Sequence, residues 1–248
     1  ITKILESPFT SIRIFAMKKL YKLAKTKNCS VIIEGDGGDE IFGGYNRYIY
    51  LNKIKLFSKI LPNYLKRNIN ILIKFLPLSF FDKYFSIFGI RNFQIKFKKL
   101  IDYINVKNDD ELYKKMISLN HNPEFYLNNN ITIKNQSDKD SSLPVFESVE
   151  EKFMFLDQTD YLHNDILCKV DRATMFNSIE SRAPLLDHKI VEHSWKIPIS
   201  YKIDKKGKYI IREILKDYLP KNLISNEKTG FGIPIDYLLR NDLKDWTE

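Results

Sequence analysis

Residues 29–45 have the sequence CSVIIEGDGGDEIFGGY, and this stretch decides the fold. The short β-branched run at 29–33 follows a segment, 12–27, whose apolar residues recur at helical spacing. This order predicts a helix that leads into a buried parallel strand. The strand runs directly into a glycine-rich loop, and residues 41–45 open another helix. Because ligands bind at the carboxyl ends of such strands, we expect a ligand site at this loop.

The loop at 34–40 holds four carboxylates and three glycines. Glycines let the backbone approach a ligand closely, and clustered carboxylates need a cation or a cationic partner to offset their repulsion. Such a cluster suits Mg²⁺, which binds few carboxylates together with the phosphates of a nucleotide. The spacing does not match a G-x-G-x-x-G loop, a P-loop or an EF-hand. A plain acidic turn that caps a helix stays open as an alternative.

The rest of the chain reads as mostly helical. Residues 48–118 are rich in Tyr, Leu, Ile, Phe and Lys, which predicts short helices with solvated lysines. Residues 120–145 carry Asn, Asp and Ser clusters and predict a loop, and the helical pattern resumes at Val149. We therefore predict an α/β protein that is predominantly helical. Its predicted parts are 1–50 (an α/β core with the acidic loop), 51–145 (a helical insertion and loop) and 146–248 (a helical C-terminal part).

Composition narrows the function classes. The 248 residues include 40 Lys and Arg against 31 Asp and Glu, a net charge of +9. A non-catalytic basic module that binds nucleic acid is therefore one hypothesis, although the intact acidic loop disfavours it.

The two cysteines, Cys29 and Cys168, predict buried free thiols rather than a disulfide framework. No signal peptide and no apolar run of roughly 20 residues is visible, so we expect a cytoplasmic protein without a membrane partner.

The string from Glu34 to Tyr48 resembles the S-G-[DE]-G-[GS]-D-E-[LV]-F-G-G-Y signature in the synthetase domain of glutamine-hydrolysing asparagine synthetases. Further segments are similar to family motifs in the same order, and the resemblance runs from residue 6 to 246. These segments are DILCKVDRATM at 165–175, SIESRAPLLDH at 178–188, GKYIIR at 207–212, YLP at 218–220 and EKTGFGIP at 227–234.

The resemblance implies part of an ATP-pyrophosphatase fold, which is similar to the adenine nucleotide alpha hydrolases. The family also has an N-terminal glutaminase domain with a cysteine nucleophile as its first residue, and an S-G-G-x-D-S loop that grips pyrophosphate. This sequence begins at Ile1 and contains neither feature. We therefore expect a fragment of a longer polypeptide, inactive alone, whose partner is the missing glutaminase domain. A homodimer stays open.

The resemblance further implies an ATP-dependent, amide-forming ligase. In the family, ATP adenylates the side-chain carboxylate of aspartate, pyrophosphate leaves, and ammonia from glutamine then yields asparagine and AMP. The expected ligands are ATP, Mg²⁺, a carboxylic acid and ammonia. An alternative keeps this chemistry but amidates a uronic acid of a surface polysaccharide, because the D-G-G-D-E form of the loop also resembles relatives in polysaccharide gene sets.

Roles for single residues follow from the same resemblance. Asp39 matches the ligand of Mg²⁺–pyrophosphate, Asp36 the acidic residue that accepts a proton from the attacking ammonia, and Lys228 the lysine that stabilises adenylation. A helix cap, a turn residue and a surface lysine are the respective structural alternatives. The nucleotide-binding candidates are Glu34, Gly35, Gly37, Gly38 and Glu40. The candidates for orienting the substrate acid, or for a structural ion-pair network instead, are Lys169, Asp171, Arg172, Glu180 and Arg182.

Some positions depart from the family pattern. Glu34 stands where the family usually has Ser, which adds a charge beside the expected nucleotide site. Asn226 replaces an Arg that usually precedes the lysine motif. These departures bear on which acid is the substrate more than on adenylation.

Overall fold

The computed structural model describes residues 13–62, 64–66, 68, 81, 84–85, 93–118, 143–224 and 235–247. The chain divides into two compact units, one of Ile1–Tyr45 with Met154–Glu248 and the other of Asn46–Phe153. The division into three parts made from the sequence stays a prediction.

Helices dominate the described residues, with one pair of short strands, as the sequence predicts. The elements in chain order are α1 Arg13–Thr26, β1 Val31–Ile33, α2 Gly38–Ile41, α3 Asn46–Ile60, α4 Phe93–Ile104, α5 Asp109–Ile117, α6 Val149–Leu156, a π-helical segment Asp157–Leu167, α7 Cys168–Met175, β2 Glu180–Arg182, a 3₁₀ turn Pro184–Leu186, α8 His188–Ser194, α9 Ile199–Lys202, α10 Tyr209–Leu215, a 3₁₀ turn Lys221–Leu223, α11 Ile235–Arg240 and α12 Lys244–Thr247.

The two strands pair in parallel, with Val31 opposite Glu180 and Ile33 opposite Arg182. The predicted parallel pairing is thus confirmed, but the predicted burial of the strand is wrong. Val31 is 41% exposed and Ile33 is 75% exposed. A parallel strand is buried when neighbouring strands and helices cover both its faces. Within the described residues, β1 has one neighbouring strand, and helices cover only the face that carries Ile32.

The covered face of the sheet rests on two helices. Ile14 and Tyr21 of α1 pack with Ala173 of α7 and with Ile179 just before β2, and all four are buried. Met17, Ala24 and Ile32 complete this core at its edge. The helix predicted at 12–27 is confirmed over Arg13–Thr26, but the apolar residues at helical spacing do not mark its packed face, because Phe15, Leu20 and Leu23 are each at least half exposed. This packing fixes the point at which the acidic loop begins.

A continuous helical run leads from Val149 to Met175 and contains the π-helical segment. In a π-helix each backbone bond spans five residues rather than four, so residues five apart lie on one face. Asp157 and Leu162 have this spacing and both are buried. The π-helical segment begins with a buried carboxylate, Asp157, which follows the buried Met154 at helical spacing.

The described part of the second unit contains α3, α4, α5 and the start of α6. Tyr48, Leu51 and Ile54 of α3 are buried, and α4 packs against α3. The rings of Tyr113 and Phe153 meet edge to face, with 5.2 Å between their centroids. Such aromatic pairs and buried aliphatic side chains stabilise helical units.

Cys29 is exposed and Cys168 is half-buried, both as free thiols, so the predicted burial is wrong for Cys29, which lies between α1 and β1. No helix within the described ranges is long and apolar enough to cross a membrane.

Candidate active site

Glu34 begins the acidic loop and is held from three directions. Its backbone N–H donates to the carbonyl of Arg182 at 2.8 Å, which extends the strand pairing by one bond. Its carboxylate accepts hydrogen bonds from the Tyr21 hydroxyl at 2.5 Å and from the Ser181 hydroxyl at 2.8 Å. A helix and the neighbouring strand thus each donate to the Glu34 side chain. Two such donors stabilise an ionised carboxylate.

Asp36 lies two residues further on, in contact with Glu34. Burial, the charge of Glu34 and a hydrogen bond between the two carboxyls together raise the pKa of Asp36 to about 7. Two carboxyls that share a hydrogen bond must retain a proton between them. The Oδ2 atom of Asp36 is buried and has no hydrogen-bond partner among the described residues. Asp36 therefore offers a buried acceptor that gains or loses a proton near neutral pH.

The loop turns at Gly37, whose φ of 83° lies in the left-handed region. A Cβ atom at this position would lie 2.2 Å from Cδ2 of Leu186. The backbone conformation strains any side chain at this position, and Leu186 would have to move to make room for one. The turn consequently brings the start of α2 directly against the 3₁₀ turn that follows β2.

Glu40 anchors the end of the loop in the protein interior. Its side chain is buried and accepts a hydrogen bond from the Tyr45 hydroxyl. Its backbone carbonyl accepts a bond of 3.0 Å from the Gln158 amide, which in turn accepts one of 3.2 Å from the Trp195 indole. Burial raises the pKa of Glu40, and the nearby charge of Asp157 acts in the same direction. These contacts fix the loop on the π-helical segment.

Asp39 points the other way, toward a lysine far along the chain. The Lys208 ammonium lies 3.0 Å from Oδ1 of Asp39. Two close backbone approaches allow this ion pair. A Cβ at Gly207 would lie 2.7 Å from the carbonyl oxygen of Gly43, and a Cβ at Gly44 would lie 1.9 Å from Oδ1 of Asp39. The glycines thus let the segment before α10 pass against the loop and deliver the lysine to its carboxylate.

The five residues predicted to orient the substrate acid are more dispersed. Lys169 is buried on α7 and forms an ion pair of 2.5 Å with Asp165, one helical turn earlier. On the same helix Asp171 is exposed and Arg172 is half-buried. Glu180 and Arg182 pair with each other at 2.8 Å, and both are well exposed. Because side chains alternate along a strand, this pair lies on the opposite sheet face from Ser181, the partner of Glu34.

The structure thus brings the loop carboxylates together with residues that the sequence did not single out as site residues. Lys208 lies in the family-like motif at 207–212, and this motif could have identified it as a site residue. Tyr21 and Ser181 reach Glu34 only through the packing of α1 and the register of β2, which no local pattern predicts. The predicted catalytic lysine, Lys228, lies outside the described residues.

The donor set bears on which cation could bind. No group of three or more His, Cys, Asp or Glu side chains within the described ranges could hold a metal ion. A site built from protein ligands alone therefore does not fit these residues. Mg²⁺ usually keeps its waters and takes one or two carboxylates plus substrate phosphates. Asp39, which already faces a cation in Lys208, fits a metal ion of that kind.

The ordered motifs around this loop correspond to one protein family. The family model described as asparagine synthase matches residues 1–248. The chain belongs to the asparagine synthase family. The acidic loop, the β2 segment and the glycine–lysine turn at 207–208 are thus parts of a family domain.

Individual members of the family agree with this assignment. The chain is 31% identical over 233 residues to asparagine synthetase [glutamine-hydrolyzing] 1 of Bacillus subtilis. The aligned residues make up 92% of this chain and 34% of that protein. It is 34% identical over 90 residues to asparagine synthetase [glutamine-hydrolyzing] of Gallus gallus. The aligned residues make up 35% of this chain and 16% of that protein. The chain thus spans about one third of the length of the Bacillus relative. No solved structure matches the chain.

Proposed function

We propose that the full-length protein is an ATP-dependent ligase that adenylates the side-chain carboxylate of aspartate and transfers glutamine-derived ammonia to it, giving asparagine, AMP and pyrophosphate. In this proposal the described residues are part of an ATP-pyrophosphatase fold, and the glutaminase domain belongs to the same polypeptide. Membership of the asparagine synthase family supports this reaction class. The printed names of the relatives, asparagine synthetase [glutamine-hydrolyzing], support glutamine as the source of ammonia.

The observation that carries the proposal is the environment of Asp36. Its Oδ2 atom is a buried acceptor without a partner among the described residues, and its pKa of about 7 lies close to the working pH of a cell. A general base works best when its pKa is near the operating pH. Asp36 is therefore suited to accept a hydrogen bond from ammonia and then the proton that ammonia loses as its nitrogen bonds to the activated carboxyl carbon.

Asp39 and Lys208 suit the phosphate end of the reaction. Asp39 would ligate Mg²⁺, and the Lys208 ammonium would face the phosphoryl oxygens beside it. When bound, Mg²⁺–ATP would supply the adenylyl group that activates the acid, and pyrophosphate would be the leaving group. The backbone of Gly35 has open space on its side-chain side, which leaves room for a nucleotide next to the loop. Glu34, Gly37, Gly38 and Glu40 would shape this nucleotide site, and Lys228 would stabilise the charge that develops during adenylation.

The substrate acid would be oriented by the charged residues around α7 and β2. Lys169 is the most buried of them, and its ion pair with Asp165 holds its ammonium in place. A cation fixed in this way suits a carboxylate ligand. Asp171, Arg172, Glu180 and Arg182 remain candidates for the same task.

ATP–pyrophosphate exchange by the full-length protein tests this function. Exchange that depends on aspartate and Mg²⁺ is expected. Exchange with galacturonate in place of aspartate would retain the adenylation chemistry but overturn asparagine synthesis in favour of uronic acid amidation. Absence of exchange with either acid, in a protein that is folded by circular dichroism, would overturn the ligase proposal.

A further inference from the structure

The unit Asn46–Phe153 contains a cavity that the proposed ligase chemistry does not use. It lies between α3 and α4 and has a volume of about 380 Å³. Small-molecule sites typically occupy about 300–1,000 Å³, so this cavity can hold one small ligand. The lining residues are Tyr50, Lys53, Ile54, Phe57, Lys96, Leu100 and Tyr103.

The cavity wall is apolar. Ile54, Phe57 and Leu100 contribute aliphatic and aromatic carbon from both helices. Tyr50 is 52% exposed and Phe57 is 46% exposed, so the cavity opens to solvent on their side. Apolar surface that water reaches favours an apolar ligand, because binding removes that surface from water. The body of the ligand is therefore expected to be hydrocarbon or aromatic.

Among the described residues, the charged side chains that line this cavity are all positive. Lys53 on α3 and Lys96 on α4 both line it, and no acidic side chain does so among the described residues. A lysine of this kind covers apolar surface with its methylenes and keeps its ammonium in water. The Lys53 ammonium lies 5.6 Å from the ring centroid of Tyr50, which places it at the open side. The ligand is therefore expected to carry an anionic head.

One carboxylate lies next to a residue that lines the cavity. Asp102 precedes Tyr103 on α4, and its charge adds to burial in raising the pKa of the Tyr103 hydroxyl. Asp102 does not itself line the cavity. An anionic head would consequently be repelled from Tyr103 by the charge of Asp102 and attracted to the two lysines.

We propose that the cavity between α3 and α4 binds a single-chain amphiphilic anion, with its hydrocarbon body against Ile54, Phe57 and Leu100 and its anionic head at Lys53 and Lys96. The volume suits one chain of medium length better than a two-chain lipid. The shared chemistry covers a free fatty acid and an alkyl phosphate.

Calorimetric titration of the full-length protein tests the ligand class. The probes are decanoate, decyl phosphate, decanol and decyltrimethylammonium, each below its micelle concentration. Decanoate and decyl phosphate are expected to bind, decanol more weakly, and the cation weakest of all. A stronger response to decyl phosphate than to decanoate would identify the phosphate head as preferred. Equal affinity for the anions and the cation, or no binding of any probe, would overturn the proposal.

Paired variants locate the site. Lys53→Gln with Lys96→Gln is expected to weaken decanoate binding about 5-fold and to leave decanol binding unchanged, since two exposed ion pairs are lost. Lys59→Gln with Lys99→Gln removes the same charge from exposed positions of the same helices outside the cavity, and should change neither. Equal effects of the two pairs of substitutions would overturn the assignment.

Photolabelling locates the site without any variant. A decanoate analogue with a diazirine in its chain should label α3 and α4, as mapped by mass spectrometry. A label confined to other segments would contradict the site.

Discussion

The Lys208 ammonium lies 3.0 Å from a carboxylate oxygen of Asp39, and two glycines on different segments make room for this pair. Asp39 enters the site from the acidic loop, whereas Lys208 arrives from the turn that precedes α10. This ion pair therefore forms only when the acidic loop and the segment before α10 lie correctly against each other. It also links the residue expected to ligate Mg²⁺ to a cation that the protein supplies itself.

Gly44→Ala should disrupt this apposition. The new Cβ would overlap Oδ1 of Asp39 and would lie 2.4 Å from Cε of Lys208, so the pair must separate. A displacement on the order of 1 Å at reacting groups costs about 100-fold in rate, which is the expected loss of ATP–pyrophosphate exchange. Gly35→Ala is the matched control in the same loop, because its Cβ meets no atom within 4 Å. Comparable losses in both variants would show that the loop tolerates no side chain anywhere, independent of the ion pair.

Lys208→Gln should retain the fold and lower exchange. The amide keeps hydrogen-bonding capacity but removes the charge beside Asp39, and loss of one electrostatic stabiliser costs about 100-fold or more in turnover. Lys205→Gln, at an exposed position three residues earlier, is the control and should behave as the wild type. If the two variants had the same exchange rate, Lys208 would be a structural partner of Asp39 only.

Asp36→Asn should change how stability depends on pH. In the folded wild type the pKa of Asp36 is about 7, above its ordinary value of 3.8. Between these values the folded state keeps a proton that the unfolded state releases, so the contribution of Asp36 to stability falls as pH rises from about 4 to 7 and is constant above that. The variant lacks this slope. Urea unfolding of both proteins at pH 5 and pH 8 should show the variant gaining stability relative to the wild type at the higher pH, and a constant difference would contradict the raised pKa.

The same substitution should separate the two half-reactions. Removal of a general base lowers the step that it serves by about 100-fold or more, whereas adenylation needs no proton acceptor at Asp36. Asp36→Asn should therefore reduce amide formation far more than ATP–pyrophosphate exchange. Equal losses would instead assign Asp36 to the metal or to the turn.

Glu34→Gln should shift the activity profile. The variant preserves the size of the side chain and its acceptor oxygen for Tyr21 or Ser181, but it removes the charge that contributes to raising the pKa of Asp36. A lower Asp36 pKa keeps the base deprotonated in more acidic solution, so the acidic limb of amide formation should move to lower pH. An unchanged limb would show that Glu34 does not act through Asp36. Glu147→Gln, at an exposed position of the second unit, is the charge-matched control.

Lys228→Ala should abolish adenylation with the fold intact. The lysine is expected to offset negative charge that develops as pyrophosphate leaves. Release of pyrophosphate at the wild-type rate would overturn this role. Lys221→Ala, an exposed lysine in the preceding 3₁₀ turn, serves as the control.

Local patterns in the sequence predicted the elements that lead to the site but not the partners of its side chains. The helix at α1, the strand at β1 and the glycine-rich turn follow from spacing and composition, because these features depend on near neighbours in the chain. The hydrogen bonds from Tyr21 and Ser181 to Glu34 depend on tertiary packing, which local patterns do not encode. The exposure of Ile33 was missed for a related reason, since burial of a strand depends on what lies above and below the sheet.

The parallel register of β1 and β2 also orders events during synthesis. Val31 pairs with Glu180, so β1, which leads into the acidic loop, can form its strand pairing only after β2 has been synthesised. Contacts of such long sequence separation form slowly, whereas the helices of the intervening unit depend on local contacts. On a ribosome that releases the chain from its N-terminal end, α3 to α5 can therefore form before the loop is organised. The nascent chain thus acquires its reactive carboxylates in their final arrangement only late in folding.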